Sequence, residues 1–149
     1  MNAFGIAILE QQVCFIKDGA TKHEALECII DAVGKNPVVE DCAAFRRAVH
    51  EREEIMSTGI GGGIAIPHVR LPQITSPTLG VGICAGGVEF DTLDNNPVNI
   101  LVLFATPETS EKEYLSLLAK VMMSLRSGDL FDALVACHTP AEVCALLNG

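Results

Sequence analysis

The sequence predicts an α/β chain, a single domain over residues 1–149 with a mixed β-sheet flanked by helices on both faces. Three observations carry this expectation. Hydrophobic residues make up 49% of the chain and charged residues 19%, enough to fill a core and too few charges for a disordered polymer. The aromatic content is six Phe, one Tyr and no Trp, so the core is aliphatic, as in sheets buried on both sides. Finally, strand-like and helix-like segments alternate along the chain, and that alternation implies helices packed on the faces of one sheet.

Taken in order, a strand is predicted around Val13-Cys14-Phe15-Ile16. A helix opens at Thr21-Lys22-His23-Glu24, a T-x-x-E capping box. Leu26, Ile29, Ile30 and Val33 follow at helical spacing, and Gly34 closes it. A second helix starts near Asp41, with Ala44, Phe45, Ala48 and Val49 as its apolar face and a charged far end from Arg46 to Glu54. The segment Ser57 to His68 holds four glycines within five residues and cannot be a helix interior, where each would cost about 1 kcal/mol. Strands are then expected at Leu79 to Ala85, Val88 to Phe90 and Val98 to Phe104. Gly86-Gly87 reads as a hairpin turn between the first two, and Asp94 to Pro97 as a further turn. Ser110 to Glu113 resembles another capping box, opening a helix through Leu118, Met122 and Leu125. A short helix follows Asp129, and the last opens at Thr139-Pro140, with Pro at its first position.

Charge and composition narrow the partners. A net charge of −9 without any run of Lys or Arg repels nucleic acid and anionic lipid, so neither is expected as a partner. The apolar stretches are too short for membrane insertion. The N-terminus lacks the basic stretch of a secretory signal, and none of the six cysteines forms a C-x-x-C pair, which points to a cytoplasmic protein with reduced, mostly buried thiols.

The glycine-rich segment invites phosphate chemistry. A Walker A loop fails, because no Gly-Lys-Ser/Thr occurs. A dinucleotide fingerprint starting at Gly59 fails as well, with Ile64 at the third glycine position and a helix before the loop. A zinc site at His68 fails for want of neighbouring ligands, so neither metal nor cofactor is expected. What remains is one histidine, His68, presented after Pro67 and a glycine-lined turn. Neutral imidazole is a competent nucleophile near pH 7, and glycine amides can converge on an anion. Ser57, Thr58, Arg52 and Arg70 are close enough in sequence to supply donors to phosphoryl oxygens. Spacing alone leaves two readings open: a presented nucleophile, or a histidine that only ends a turn. His23, His50 and His138 read as surface residues.

Beyond spacing, the runs Arg52-Glu53, Ser57 to Gly61 and Gly63 to His68 resemble the active-site signature of phosphotransferase-system IIA domains of the fructose, mannitol and nitrogen-regulatory type. Phe90 to Asp94 with Pro97-Val98, and Pro107-Glu108 with Leu115 to Lys120, resemble later family blocks, so the similarity spans nearly the whole chain. The resemblance implies that His68 is the phosphorylated residue. It implies that Arg52, Ser57, Thr58, Gly61, Gly62 and Gly63 stabilise the phosphate, with Arg70 as an accessory cation. It further implies phosphoryl receipt from the histidine phosphocarrier protein, followed by transfer to a IIB domain or by regulation of target proteins. Four positions depart from the family pattern: Met56 for Gly, Gly62 for Asn, Val69-Arg70 for Gly-Lys, and Tyr114 where many members carry a second histidine. Tyr114 is therefore either a hydrogen-bonding partner of the imidazole or phosphate, or a plain helix-surface aromatic.

Overall fold

A computed structural model describes residues 2–149. Its sheet has six strands: β1 (Val13–Phe15), β2 (Gly59–Gly61), β3 (Ile64–Ala65), β4 (His68–Arg70), β5 (Thr78–Val88) and β6 (Val98–Thr106). The helices are α1 (Lys22–Gly34), α2 (Cys42–Ile55), α3 (Glu111–Arg126), α4 (Asp129–Val135) and α5 (Pro140–Asn148). The strand order is β1-β5-β6-β3-β2, with β4 also paired to β6. β5 and β6 run antiparallel, while β1 pairs with β5 and β3 and β4 pair with β6 in parallel, so the sheet is mixed as expected.

Strand β6 shows why both faces are covered. Leu101, Leu103 and Ala105 enter the core shared with α1 and α2, whereas Ile100, Val102 and Phe104 enter the core shared with α3, α4 and α5. Alternating side chains point to opposite faces of a strand, and here both sets are apolar and fully buried. Each such side chain contributes about 1.5–3 kcal/mol on leaving water, so neither face is stable without its helices. Helix α1 lies close on the sheet because β5 offers it glycine: a Cβ at Gly80 would stand 2.4 Å from Val33 Cγ2. Any larger residue there would push α1 off the sheet.

Local signals were followed where the chemistry is local. Thr21 and Glu24 form the capping box of α1, and Thr139 and Glu142 that of α5, with Pro140 in its first turn. Gly34 is the last residue of α1, and Lys35 ends it in a right-handed conformation. Three expectations are corrected. Ser110 precedes α3 but its side chain makes no capping bond, its backbone lying outside the extended region an N-cap requires. Gly86-Gly87 is no hairpin turn: β5 runs on to Val88, which pairs with Val98 of β6, and the glycines form a bulge where the register shifts between Ile83 and Val88. Val88 to Phe90 therefore makes no strand of its own. As expected, the segment Ser57 to His68 is no helix: Gly59–Gly61 and Ile64–Ala65 pair as an antiparallel hairpin around a glycine turn, and His68 starts β4.

All six cysteines are free, but only Cys84 and Cys137 are buried; Cys14, Cys28 and Cys144 are half-buried and Cys42 is exposed. No helix among the described residues is long and apolar enough to cross a membrane.

Candidate active site

Register places the candidate histidine. In β4, His68 lies opposite Phe104 and Arg70 opposite Thr106 of β6. Val69 between them enters the α1–α2 core, so His68 and Arg70 share the other face. Beyond β4 opens a cleft of about 490 Å³ lined by His68, Arg70, Arg52 and Glu51 of α2, and Glu111 and Tyr114 of α3. Thus four residues singled out in the sequence, His68, Arg52, Arg70 and Tyr114, meet at one place.

The imidazole is half-buried and held on three sides. Its Nε2 is 3.0 Å from the hydroxyl of fully buried Thr106. Tyr114 stacks flat on it, with ring centroids 3.6 Å apart and planes 3° from parallel. Phe104 meets both rings edge-on, 6.5 Å from His68 and 5.5 Å from Tyr114. Tyr114 thus packs its face on the imidazole and is half-buried, and among the described residues no hydrogen bond joins its hydroxyl to that ring.

Electrostatics act in the same direction. Burial, and then the guanidinium groups of Arg70 and Arg52, press the His68 pKa down to about 4. Its ring is neutral at pH 7, with one of its two nitrogens unprotonated. Burial raises the Tyr114 phenol above its ordinary value, so that ring stays neutral as well. Arg70 is within 3.9 Å of Glu111, an exposed pair that leaves its remaining donors available.

The glycines are elsewhere. Gly63 O accepts from the amides of Asn99 and Ile100, and Ile64 lies opposite Ile100. His68 lies opposite Phe104, four residues further along β6, which is about 13 Å at strand spacing. Gly61, Gly62 and Gly63 all have positive φ and form the tight turn of the β2–β3 hairpin. The amide of Gly62 already donates to Asp94 Oδ2 at 2.9 Å, and the Gly62 and Asn96 amides lower the Asp94 pKa to about 2. This turn carries its own anion and does not line the His68 cleft.

Ser57 and Thr58 lie between the two places, and their donors are engaged. The Thr58 amide and hydroxyl both donate to the Glu53 carboxylate at 2.9 Å. Glu53 is buried and also takes an ion pair from Lys22 at 3.0 Å. The Ser57 hydroxyl donates to Asp91 O and accepts from Lys22 Nζ and the Gly59 amide, each at 3.3 Å. These residues pin the end of α2, and with it Arg52, to the start of β2. Sequence reasoning missed Thr106, Phe104 and Glu111, which no local signal marks: Thr106 and Phe104 reach His68 through the parallel pairing of β4 with β6, and Glu111 reaches Arg70 through the packing of α3.

Fold and cleft together define a small α/β protein able to hold an anion beside an unprotonated imidazole. The family model described as "Phosphoenolpyruvate-dependent sugar phosphotransferase system, EIIA 2" matches residues 7–149, and the chain belongs to that family, whose members act as phosphoryl carriers. It is 36% identical to the nitrogen regulatory protein of Pseudomonas aeruginosa over 121 residues, covering 81% of this chain and 79% of the relative. It is 31% identical to the fructose-specific EIIA component of Haloferax volcanii over 124 residues, covering 83% and 80%. A structure of enzyme IIA for mannitol from Escherichia coli, solved in complex with phosphorylated enzyme IIB, superposes with a TM-score of 0.80 over 95% of this chain and 97% of that one, at 19% identity.

Proposed function

We propose that His68 is the covalent phosphoryl acceptor of this chain, receiving the group from the histidine phosphocarrier protein. The observation that carries this reading is the neutral His68 ring in an open cleft that Arg52 and Arg70 also line. The unprotonated ring nitrogen attacks phosphorus, an N–P bond forms, and the P–N bond to the donor histidine breaks, its electron pair returning to the donor ring. No net proton moves. Arg52 and Arg70 lie where they would balance the charge on the transferring oxygens, and Thr106 and Tyr114 fix the ring. The Gly61–Gly63 turn, though expected to cradle the phosphate, is assigned a structural role here, as are Ser57 and Thr58.

From His68 the group passes to a cysteine of a IIB domain, a route supported by the mannitol IIA–IIB complex among the structural neighbours. Such chemistry fits a cytoplasmic location. Mixing the chain with phosphorylated phosphocarrier protein tests the proposal: one acid-labile phosphoryl group should appear on His68 by peptide mapping. An unlabelled wild-type chain, or a label on another residue, removes it.

A second reading follows from the identity to a nitrogen regulatory protein. Here the phosphorylated state of His68 controls binding to target proteins, and forward transfer is secondary. Captures with wild type, His68→Ala and His68→Asp discriminate: partner sets that differ between the variants support the switch, and identical sets argue against it.

A further inference from the structure

A second group of chemistry-bearing side chains lies on the far side of α2. His23 and Glu27 are one turn apart on α1 and project from one face. His50 comes from α2, where the two helices pack. His50 Nε2 is 2.6 Å from Glu27 Oε2, and the His23 and His50 rings stack with centroids 4.6 Å apart and planes 19° from parallel. One ligand atom from each of the three residues lies within 4.8 Å of the others. Donor atoms around a tetrahedral zinc ion stand about 3.4 Å apart, so the three are within reach of one ion once the stacked rings turn and the His50–Glu27 contact opens.

We propose that His23, Glu27 and His50 form a binding site for a divalent transition-metal ion of the zinc class. Two imidazoles and one carboxylate are ligands that such ions favour over calcium or magnesium, which prefer oxygen alone. The site has an outer shell as well. Arg46 Nη1 donates to Glu27 Oε1 at 2.5 Å, holding the carboxylate so that Oε2 faces the imidazoles, and Arg46 is itself steadied by Asp31. The positive charge of Arg46 opposes a cation, but it is shared between two carboxylates. Lys22, the other nearby cation, is drawn away to Glu53. Glu54, one turn beyond His50, lines the same cleft as His23 and His50 and offers a further carboxylate to a fourth position.

A bound ion would clip α1 to α2, the helix that delivers Arg52 to the His68 cleft. It would stabilise the folded chain by mass action, because the unfolded chain does not hold the three ligands together. The proposal does not rest on phosphoryl transfer at His68.

The test is a titration of the full chain with zinc chloride, following the imidazole ring signals by NMR and the uptake by competition with a chromophoric chelator. The ring signals of His23 and His50 should shift while those of His68 and His138 stay, with one ion bound per chain. His23→Ala, an exposed change, and Glu27→Gln should each weaken binding by at least about tenfold. Magnesium chloride should leave the signals unmoved. Binding that persists in His23→Ala, uptake abolished by thiol alkylation with the histidine signals unmoved, or a response equal to that of magnesium would overturn the proposal.

Discussion

The molecule carries two stacked pairs built on histidine, and they differ in what surrounds the ring. At the cleft, His68 lies against Tyr114 and faces two guanidinium groups, so burial and cations both disfavour its protonation. On α1 and α2, His50 lies against His23 and faces the Glu27 carboxylate. The same side chain is thereby prepared for opposite tasks. A ring kept neutral among cations is a nucleophile toward an anionic group, whereas rings grouped around a carboxylate are suited to a cation. Burial and neighbouring charge, more than the imidazole itself, set the chemistry.

The sharpest way to break this contrast is to exchange the fates of the two pairs. His68→Ala should abolish phosphoryl acceptance, measured as label from phosphorylated phosphocarrier protein, while His23→Ala should leave it within about twofold of wild type, as expected of a surface residue outside the cleft. Next, removing a cation at the cleft should slow acceptance. Arg52→Gln and Arg70→Gln should each reduce the rate about 10- to 100-fold, since each takes one charge from the transferring oxygens. Arg70→Gln should also let the His68 pKa rise from about 4 in an NMR titration, because the lost guanidinium is the larger of the two cationic influences. A pKa that stays put would show that Arg70 has no part in keeping the ring neutral.

Smaller effects refine the picture. Tyr114→Phe should keep both the stack and the rate, while Tyr114→Ala should lower stability by about 0.5–1.5 kcal/mol beyond the loss of buried area, read from chemical denaturation. The acid side is a further probe. The folded pKa of His68, about 4, is below the unfolded value near 6.5, so the unfolded chain binds the extra proton between them. Stability is therefore full above about pH 6.5 and falls as pH drops toward 4. After allowance for solvent screening, the loss is about 1–2 kcal/mol, and His68→Gln should remove that part of the slope. Least of all for chemistry, Gly62→Ala should cost about 1 kcal/mol of stability, because φ there is +65°, yet leave phosphoryl acceptance unchanged. A large loss of acceptance in Gly62→Ala would restore the glycine turn to the site.

The capping boxes at Thr21 and Thr139 were legible because all their partners fall within three residues. The buried run of β6 was legible from its apolar residues Ile100 to Ala105. Gly86-Gly87 misled because a glycine pair serves a bulge as well as a turn, and only the distant partner Val98 decides between them. The glycines before His68 were correctly seen as a special backbone, but nearness in sequence suggested nearness in space. The hairpin instead sends them about 13 Å along β6, at strand spacing. Tyr114 was found through resemblance, though its stacking depends on how α3 packs. His23 and Glu27 stand at helical spacing in the sequence, yet nothing local ties them to His50.

Asp94 gives the β2–β3 turn a resident counter-charge: its carboxylate accepts the Gly62 amide and the Asn96 amide as well. Free phosphate or other small cellular anions would have to displace a tethered competitor that never diffuses away. The Gly62 amide is thereby spoken for, which leaves phosphoryl binding to the site proposed at the edge of β4.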